Sequence, residues 1–163
     1  MMVAVAELEL TRSRDDRRLY VIKGVGTLRF EGLFSRRASA ESGVGVWSLG
    51  RRGVFQARFE ATDAAGTVVG SFEQRGLRRG GRLRWRDREH QLRPASSWRE
   101  RYALVEEDRE LALLDAKGWG KRPVRLTLEE PDLVEPGLLL FAAFTVRHLA
   151  EDADAAGVSA ATG

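Results

Sequence analysis

Cysteine is absent from the 163 residues. That excludes a disulfide framework, thiolate metal sites and cysteine nucleophiles, and it suits a reducing cytoplasm. A chain of this length can bury one real core without staples. Proline occurs only four times, and only three of the 27 cations are lysine (Lys23, Lys117, Lys121). Such arginine preference is what GC-rich coding produces, so it does not by itself mark a binding site. His90 and His148 are the only histidines. There is no G-x-S-x-G, no Walker A sequence and no H-E-x-x-H. Asp87, His90 and Ser96 or Ser97 can be written as a triad, but nothing in their spacing positions a nucleophile. The expectation is a protein without catalytic residues, metal or cofactor. The start "MMVAVAELEL" has no basic stretch ahead of an apolar core, so no secretory signal is expected.

What is present is uneven. Met1 to Leu104 carries 21 basic and 12 acidic side chains, and the remainder carries 6 basic and 12 acidic. A basic front of this kind attracts phosphate-bearing partners such as lipid head groups or nucleic acid.

Most of the chain reads as short strands. "RLYVIKG" and "GTLRFEG" are β-rich and meet at Gly24 to Gly26. "GVGVWSLG" and "GVFQARFEA" flank a polar tip at Gly50 to Gly53, and Phe55, Ala57 and Phe59 alternate with polar neighbours. Asp63-Ala-Ala-Gly66 has the Asp-first, Gly-last form of a type I turn and predicts positive φ at Gly66. "RERYALVEED" and "RELALLDAKG" join at Glu107-Asp108, and "RPVRLTLEE" sets Val124, Leu126 and Leu128 on one face. "KGWGKRP" reads as a glycine-bounded hairpin under Trp119. Ten to twelve short strands in one domain, residues 1–150, favour a closed barrel or a sandwich.

"PGLLLFAAFTVRHLA", Pro136 to Ala150, breaks the pattern. It lacks β alternation, Pro136 suits a first helical position, and Glu135 complements the positive end of the dipole. Arg147 and His148 suit a C-terminal turn. Fifteen helical residues span roughly 22 Å, short of the about 20 apolar residues that a bilayer crossing takes. A helix apolar all round must be surrounded by protein, and threading it through a β-barrel achieves that. Residues 151–163 read as a frayed tail.

The order of "FEATDAAGTVVGSF", "RRGGRLRW", "LRPASSWRERYAL", "ELALLDAKGWGKRP" and "PGLLLFAAFTVRHLA" resembles the tubby C-terminal-like superfamily, which includes tubby domains, phospholipid scramblases and plant LURP-one-related proteins. The similarity covers roughly Leu19 to Ala150 and is nearest to bacterial members. It implies a closed antiparallel barrel of about twelve strands enclosing a hydrophobic C-terminal helix. The chain lacks the cysteines and proline-rich arm of scramblases, and "EEDRE", Glu106 to Glu110, lacks the spaced ligands of a calcium loop.

The strongest functional signal is "RRGGRLRWRDREHQLR". Arg82, Arg84, Arg86 and Arg88 alternate, and with Arg79 they are the candidate ligands for an anionic head group. On one continuous strand they would form a stripe about 20 Å long. Asp87 and Glu89 would then share a face with Leu83 and Trp85, so a hairpin tip at Arg86-Asp87-Arg88 fits better and makes a basic knob. The expected activity is a non-enzymatic module binding anionic phospholipid at the cytoplasmic membrane face. The alternatives are a nucleic-acid-associated protein using the same arginines, with Trp85 and Trp98 as stacking aromatics, and an interaction scaffold without a small ligand.

Overall fold

Apolar and polar side chains alternate at period two in segments such as Gly81–Trp85 and Val124–Leu128, and these are strands, while the strands Glu100–Glu106 and Arg109–Ala116 carry longer apolar runs. The structure, a computed structural model, describes the chain apart from residues 1–4, 33–35, 53–57, 76–79, 97–99, 117–123 and 163; of residues 154–162 it describes the backbone. The strands are β1 (Ala6–Arg12), β2 (Leu19–Ile22), β3 (Gly26–Phe30), β4 (Ala38–Ser42), β5 (Gly45–Arg51), β6 (Arg58–Asp63), β7 (Val68–Gln74), β8 (Gly81–Trp85), β9 (Arg88–Pro94), β10 (Glu100–Glu106), β11 (Arg109–Ala116) and β12 (Val124–Leu128). Each pairs antiparallel with the next in sequence, and β1 closes on β12 through Leu8↔Leu126 and its neighbours. The result is a closed barrel without free sheet edges.

Local chemistry sets the tight connections. Gly66 has φ +84°, its amide bonds the Asp63 carbonyl at 3.0 Å, and Asp63 Oδ1 accepts from the amides of Ala65 and Thr67. Glu107 and Asp108 both take positive φ, the geometry of a two-residue hairpin turn that matches strand twist. Gly50 and Arg51 are not a tip. They belong to β5 and pair with Glu60 and Phe59, because the hydrogen-bonded ladder runs on past the polar sequence. The expected alternation of Phe55 and Ala57, and the hairpin at "KGWGKRP", lie outside the described residues.

Twelve strands enclose a lumen wider than their own side chains can fill. The C-terminal helix α1 (Pro136–Thr162) occupies it. Every residue from Leu138 to Val146 is buried, and α1 contacts β3, β4, β5 and β7 on one side and β10 and β11 on the other. Phe141 packs on Trp85 with ring centres 5.9 Å apart, and Phe144 meets Phe59 edge-on at 5.7 Å. Thr145, the polar residue of the run, returns its hydroxyl to the Phe141 carbonyl at 2.9 Å. The helix enters between Trp47 and Trp85, which are in edge-to-face contact at 5.7 Å. Gly137 makes that passage possible: a Cβ there would lie 2.5 Å from Trp85 Cζ2 and 2.8 Å from Trp47 Cζ2.

α1 passes Ala150, where the sequence reading ends it, and continues to Thr162. His148 is therefore not in a last turn. It is buried, stacks on Phe59 with ring centres 5.4 Å apart, and meets Glu151 at 3.3 Å through Nδ1. Arg147 lies over the Tyr20 ring and donates to its hydroxyl at 2.7 Å. Asp152 is held by Arg36 at 3.2 Å and Arg51 at 3.3 Å. Burial opposes the charge of Glu151, but the bond from His148 and the charges of Arg147 and Arg36 outweigh it and hold its carboxyl below the ordinary 4.5. Partners on the helix and on the barrel thus hold Glu151 and Asp152, the first two residues of what composition alone marks as a tail.

Candidate functional site

The β8–β9 hairpin places Leu83, Trp85, His90 and Leu92 inside and Arg82, Arg84, Arg88 and Glu89 outside. Arg86 and Asp87 form the tip, with Arg86 at φ 53° and its amide bonded to the Val69 carbonyl at 2.7 Å. The tip resolves the conflict a continuous strand would create, because it carries Asp87 away from the interior and turns Glu89 outward opposite Arg84. The stripe is therefore a knob. Arg79 lies outside the described residues.

Three of the four knob arginines meet a carboxylate. Arg82 pairs with Glu89 at 2.8 Å, Arg86 with Glu135 at 3.3 Å and Arg88 with Glu106 at 3.7 Å. Arg84 has no ion pair among the described residues. Each pair is at least half exposed on its arginine side, where such a contact is worth about 0–1 kcal/mol. Their effect is on the field: each fixed carboxylate beside a guanidinium cancels most of its attraction for a distant phosphate.

A second surface is more basic. Over the outer faces of β3 to β6 lies a groove of about 570 Å³ lined by Arg18, Arg29, Arg37, Arg51 and Arg52, with the hydroxyls of Ser39, Ser48 and Thr62 between them. Two carboxylates, Glu31 and Glu60, share the lining. Arg52 bonds Glu60 at 3.1 Å, and Arg29 bonds Asp16 at the groove edge. The Arg18 amide, with Arg29 beyond it, keeps the Asp16 carboxyl below the usual 3.8. Arg18, Arg29 and Arg52 each keep half or more of their side-chain surface in solvent. Arg51 is committed to Asp152.

No family model, curated protein or solved structure matches this chain. What the surfaces can do follows from their own side chains. The groove offers planar, bidentate donors to a phosphate or carboxylate. Arg18, Arg29, Arg51 and Arg52 each meet a carboxylate, as three of the knob arginines do, so what sets the groove apart is the number of guanidinium groups gathered around one cavity. Sequence reading found the knob because its arginines are contiguous. It missed the groove because those arginines come from scattered segments; only the basic excess of the first 104 residues signals it.

Trp85 corrects an expectation. It is 2% exposed, inside the barrel, and its indole N–H donates to Glu135 Oε2 at 2.7 Å, so it cannot stack on a base. Trp98 lies outside the described residues. His90 is buried with Nε2 3.5 Å from Glu106. Burial lowers its pKa from 6.5; Arg88 adds to this, while Glu106 and the carbonyls of Arg88 and Leu83 oppose it. Asp87 sits on the tip and Ser96 beyond the far end of β9, with His90 facing the interior between them, so the three do not converge. Ser97 lies outside the described residues. Among the described residues no group of three or more His, Asp or Glu is placed to hold a metal ion, and no helix is long and apolar enough to cross a membrane.

Proposed function

We propose that the protein is a non-enzymatic, tubby-like module that binds anionic phospholipid head groups at the cytoplasmic membrane face, and that the phosphate sits in the arginine groove over β3 to β6. The observation that carries this reading is the convergence of five guanidinium groups and three hydroxyls around one cavity that contains two carboxylates. A lumen filled by α1 leaves the outer wall as the place for a ligand. The knob arginines contribute less, because the cavities beside the hairpin gather only two arginines each, among three or more carboxylates. A nucleic-acid partner is disfavoured by the burial of Trp85.

Flotation with phosphatidylcholine vesicles, with and without phosphatidylserine, tests this over a salt series beside a DNA duplex. Each near-surface cation contributes about 1 kcal/mol on anionic lipid, so Arg29→Gln/Arg37→Gln/Arg52→Gln is expected to lose roughly a hundredfold in binding. The quadruple Arg→Gln variant at Arg82, Arg84, Arg86 and Arg88 is expected to lose much less. Affinity should fall steadily with salt. Wild-type protein that ignores anionic vesicles at low salt overturns the lipid reading. Loss confined to the quadruple variant moves the site to the knob, and tighter binding to the duplex replaces lipid with nucleic acid.

A further inference from the structure

Among the described residues the exposed large apolar side chains are Val5, Leu133 and three valines on neighbouring strands and turns of the wall that carries the groove. Val44, at the tip between β4 and β5, is 74% exposed; Val46 on β5 is 49% exposed and Val68 on β7 is 51% exposed. Turn tips normally carry Gly, Asn, Asp or Ser, and an exposed valine there has no role in the turn itself. Ala64 and Ala65, both exposed, lie at the neighbouring tip between β6 and β7. The tips on the other side of the barrel, Arg86-Asp87 and Glu107-Asp108, are charged.

Register ties the three valines to the arginines. Val46 and Ser48 are successive outward positions on β5, and Ser48 lines the groove. Val68 is directly opposite Thr62, which also lines it. From Val46 to Gly50 the strand rises about 13 Å, and the tilt of barrel strands, about 35–45°, shortens this to roughly 10 Å along the axis. That matches the depth over which interfacial apolar groups enter a bilayer below its charged head groups, about 5–10 Å. Asp63 beside the valines has Oδ1 engaged by two backbone amides. Glu41, opposite Val46 on β4, faces the same surface.

We propose that Val44, Val46 and Val68 are the insertion edge of a membrane-docking wall, entering an anionic bilayer while the groove arginines hold its phosphates. This rests on the head-group reading and adds an orientation: the barrel tips its β4–β5 and β6–β7 turns into the lipid, and the groove stays above them at the level of the head groups.

The test uses phosphatidylcholine–phosphatidylserine vesicles and, separately, inositol hexakisphosphate as a soluble phosphate probe. Val44→Ser/Val46→Thr/Val68→Thr keeps turn and strand propensity, so it should fold. It is expected to bind the vesicles about tenfold more weakly than wild type, with inositol hexakisphosphate binding unchanged. Glu41→Gln should tighten vesicle binding. In a Val44→Trp variant the added indole emission should shift to the blue on vesicles and be quenched by brominated acyl chains. Vesicle binding by the triple variant equal to wild type, or an unmoved Val44→Trp spectrum on bound vesicles, overturns the docking edge. Wild-type protein that binds inositol hexakisphosphate but no vesicles overturns the docking edge and leaves phosphate recognition standing. Binding to neither removes the head-group reading and the docking edge together.

Discussion

Gly137→Ala separates packing from helix propensity, because the two predict opposite signs. Inside an exposed helix, alanine is more favourable than glycine by about 1 kcal/mol, so propensity alone predicts a more stable protein. At Gly137 the new methyl would fall 2.5 Å from Trp85 Cζ2, 2.8 Å from Trp47 Cζ2 and 2.9 Å from Trp47 Cη2. These are rigid ring atoms of two indoles that are 2% and 4% exposed and pack edge to face. Neither ring is the loose end of a flexible chain. Overpacking a filled core costs about 1–3 kcal/mol, and the position lies in the first helical turn, where the propensity gain is smallest. The expected net effect is a loss of about 1–2 kcal/mol, which should appear as a lower urea midpoint with unchanged slope. In a Trp85→Leu background, where one ring is removed, the same substitution should cost less, and the double-mutant cycle should report coupling. A Gly137→Ala protein as stable as wild type, or more stable, would refute the tight passage between the two tryptophans.

Two further outcomes follow from local geometry and from protonation. Gly66→Val should lower stability by about 1–3 kcal/mol, since a β-branched residue is forced to positive φ, whereas Ala65→Val should be nearly neutral; equal thermal midpoints would contradict this. His90 is buried beside Glu106 and Arg88 with its pKa below 6.5, so below about pH 6.5 the unfolded chain takes up a proton that the folded chain resists. Stability should therefore fall as pH drops from 6.5 toward the lowered folded value and level off beneath it. His90→Leu should remove that part of the slope, and urea titrations of both proteins across this range check it.

The barrel and its filling were legible because both are repeated signals. Leu126 and Leu128 alternate with polar residues in a manner only a half-buried strand explains, and Leu138 to Val146 show no polar stripe at all. Turns were legible where one residue carries the geometry, as at Asp63 and Gly66. The candidate site was not, because its character is set by distant partners. Nothing near Arg86 in sequence announces Glu135, which is 49 positions away. Nothing near Asp152 announces Arg51, which is 101 positions away and holds the helix beyond Ala150. The contiguous arginines of the hairpin were visible for the same reason that they are weak: alternation puts them outward, and outward positions on adjacent strands are where carboxylates also collect.

In this topology, position in sequence is also position around the barrel. Each strand pairs with the next and the ring closes only between β1 and β12, so a charge gradient along the chain becomes a charge gradient around the circumference. The basic excess of the first 104 residues and the acidic excess of the rest therefore divide the wall into sectors. The β8–β9 hairpin stands near the boundary, where Glu106 and Glu135 from the acidic part reach its arginines. The β3–β6 wall lies farther from that boundary and retains its arginine excess. A molecule polarised in this way approaches an anionic surface with a preferred face before any contact forms, at a range set by the Debye length of about 8 Å at physiological ionic strength. In the proposed docking, the exposed valines at Val44, Val46 and Val68 lie on the face that arrives first.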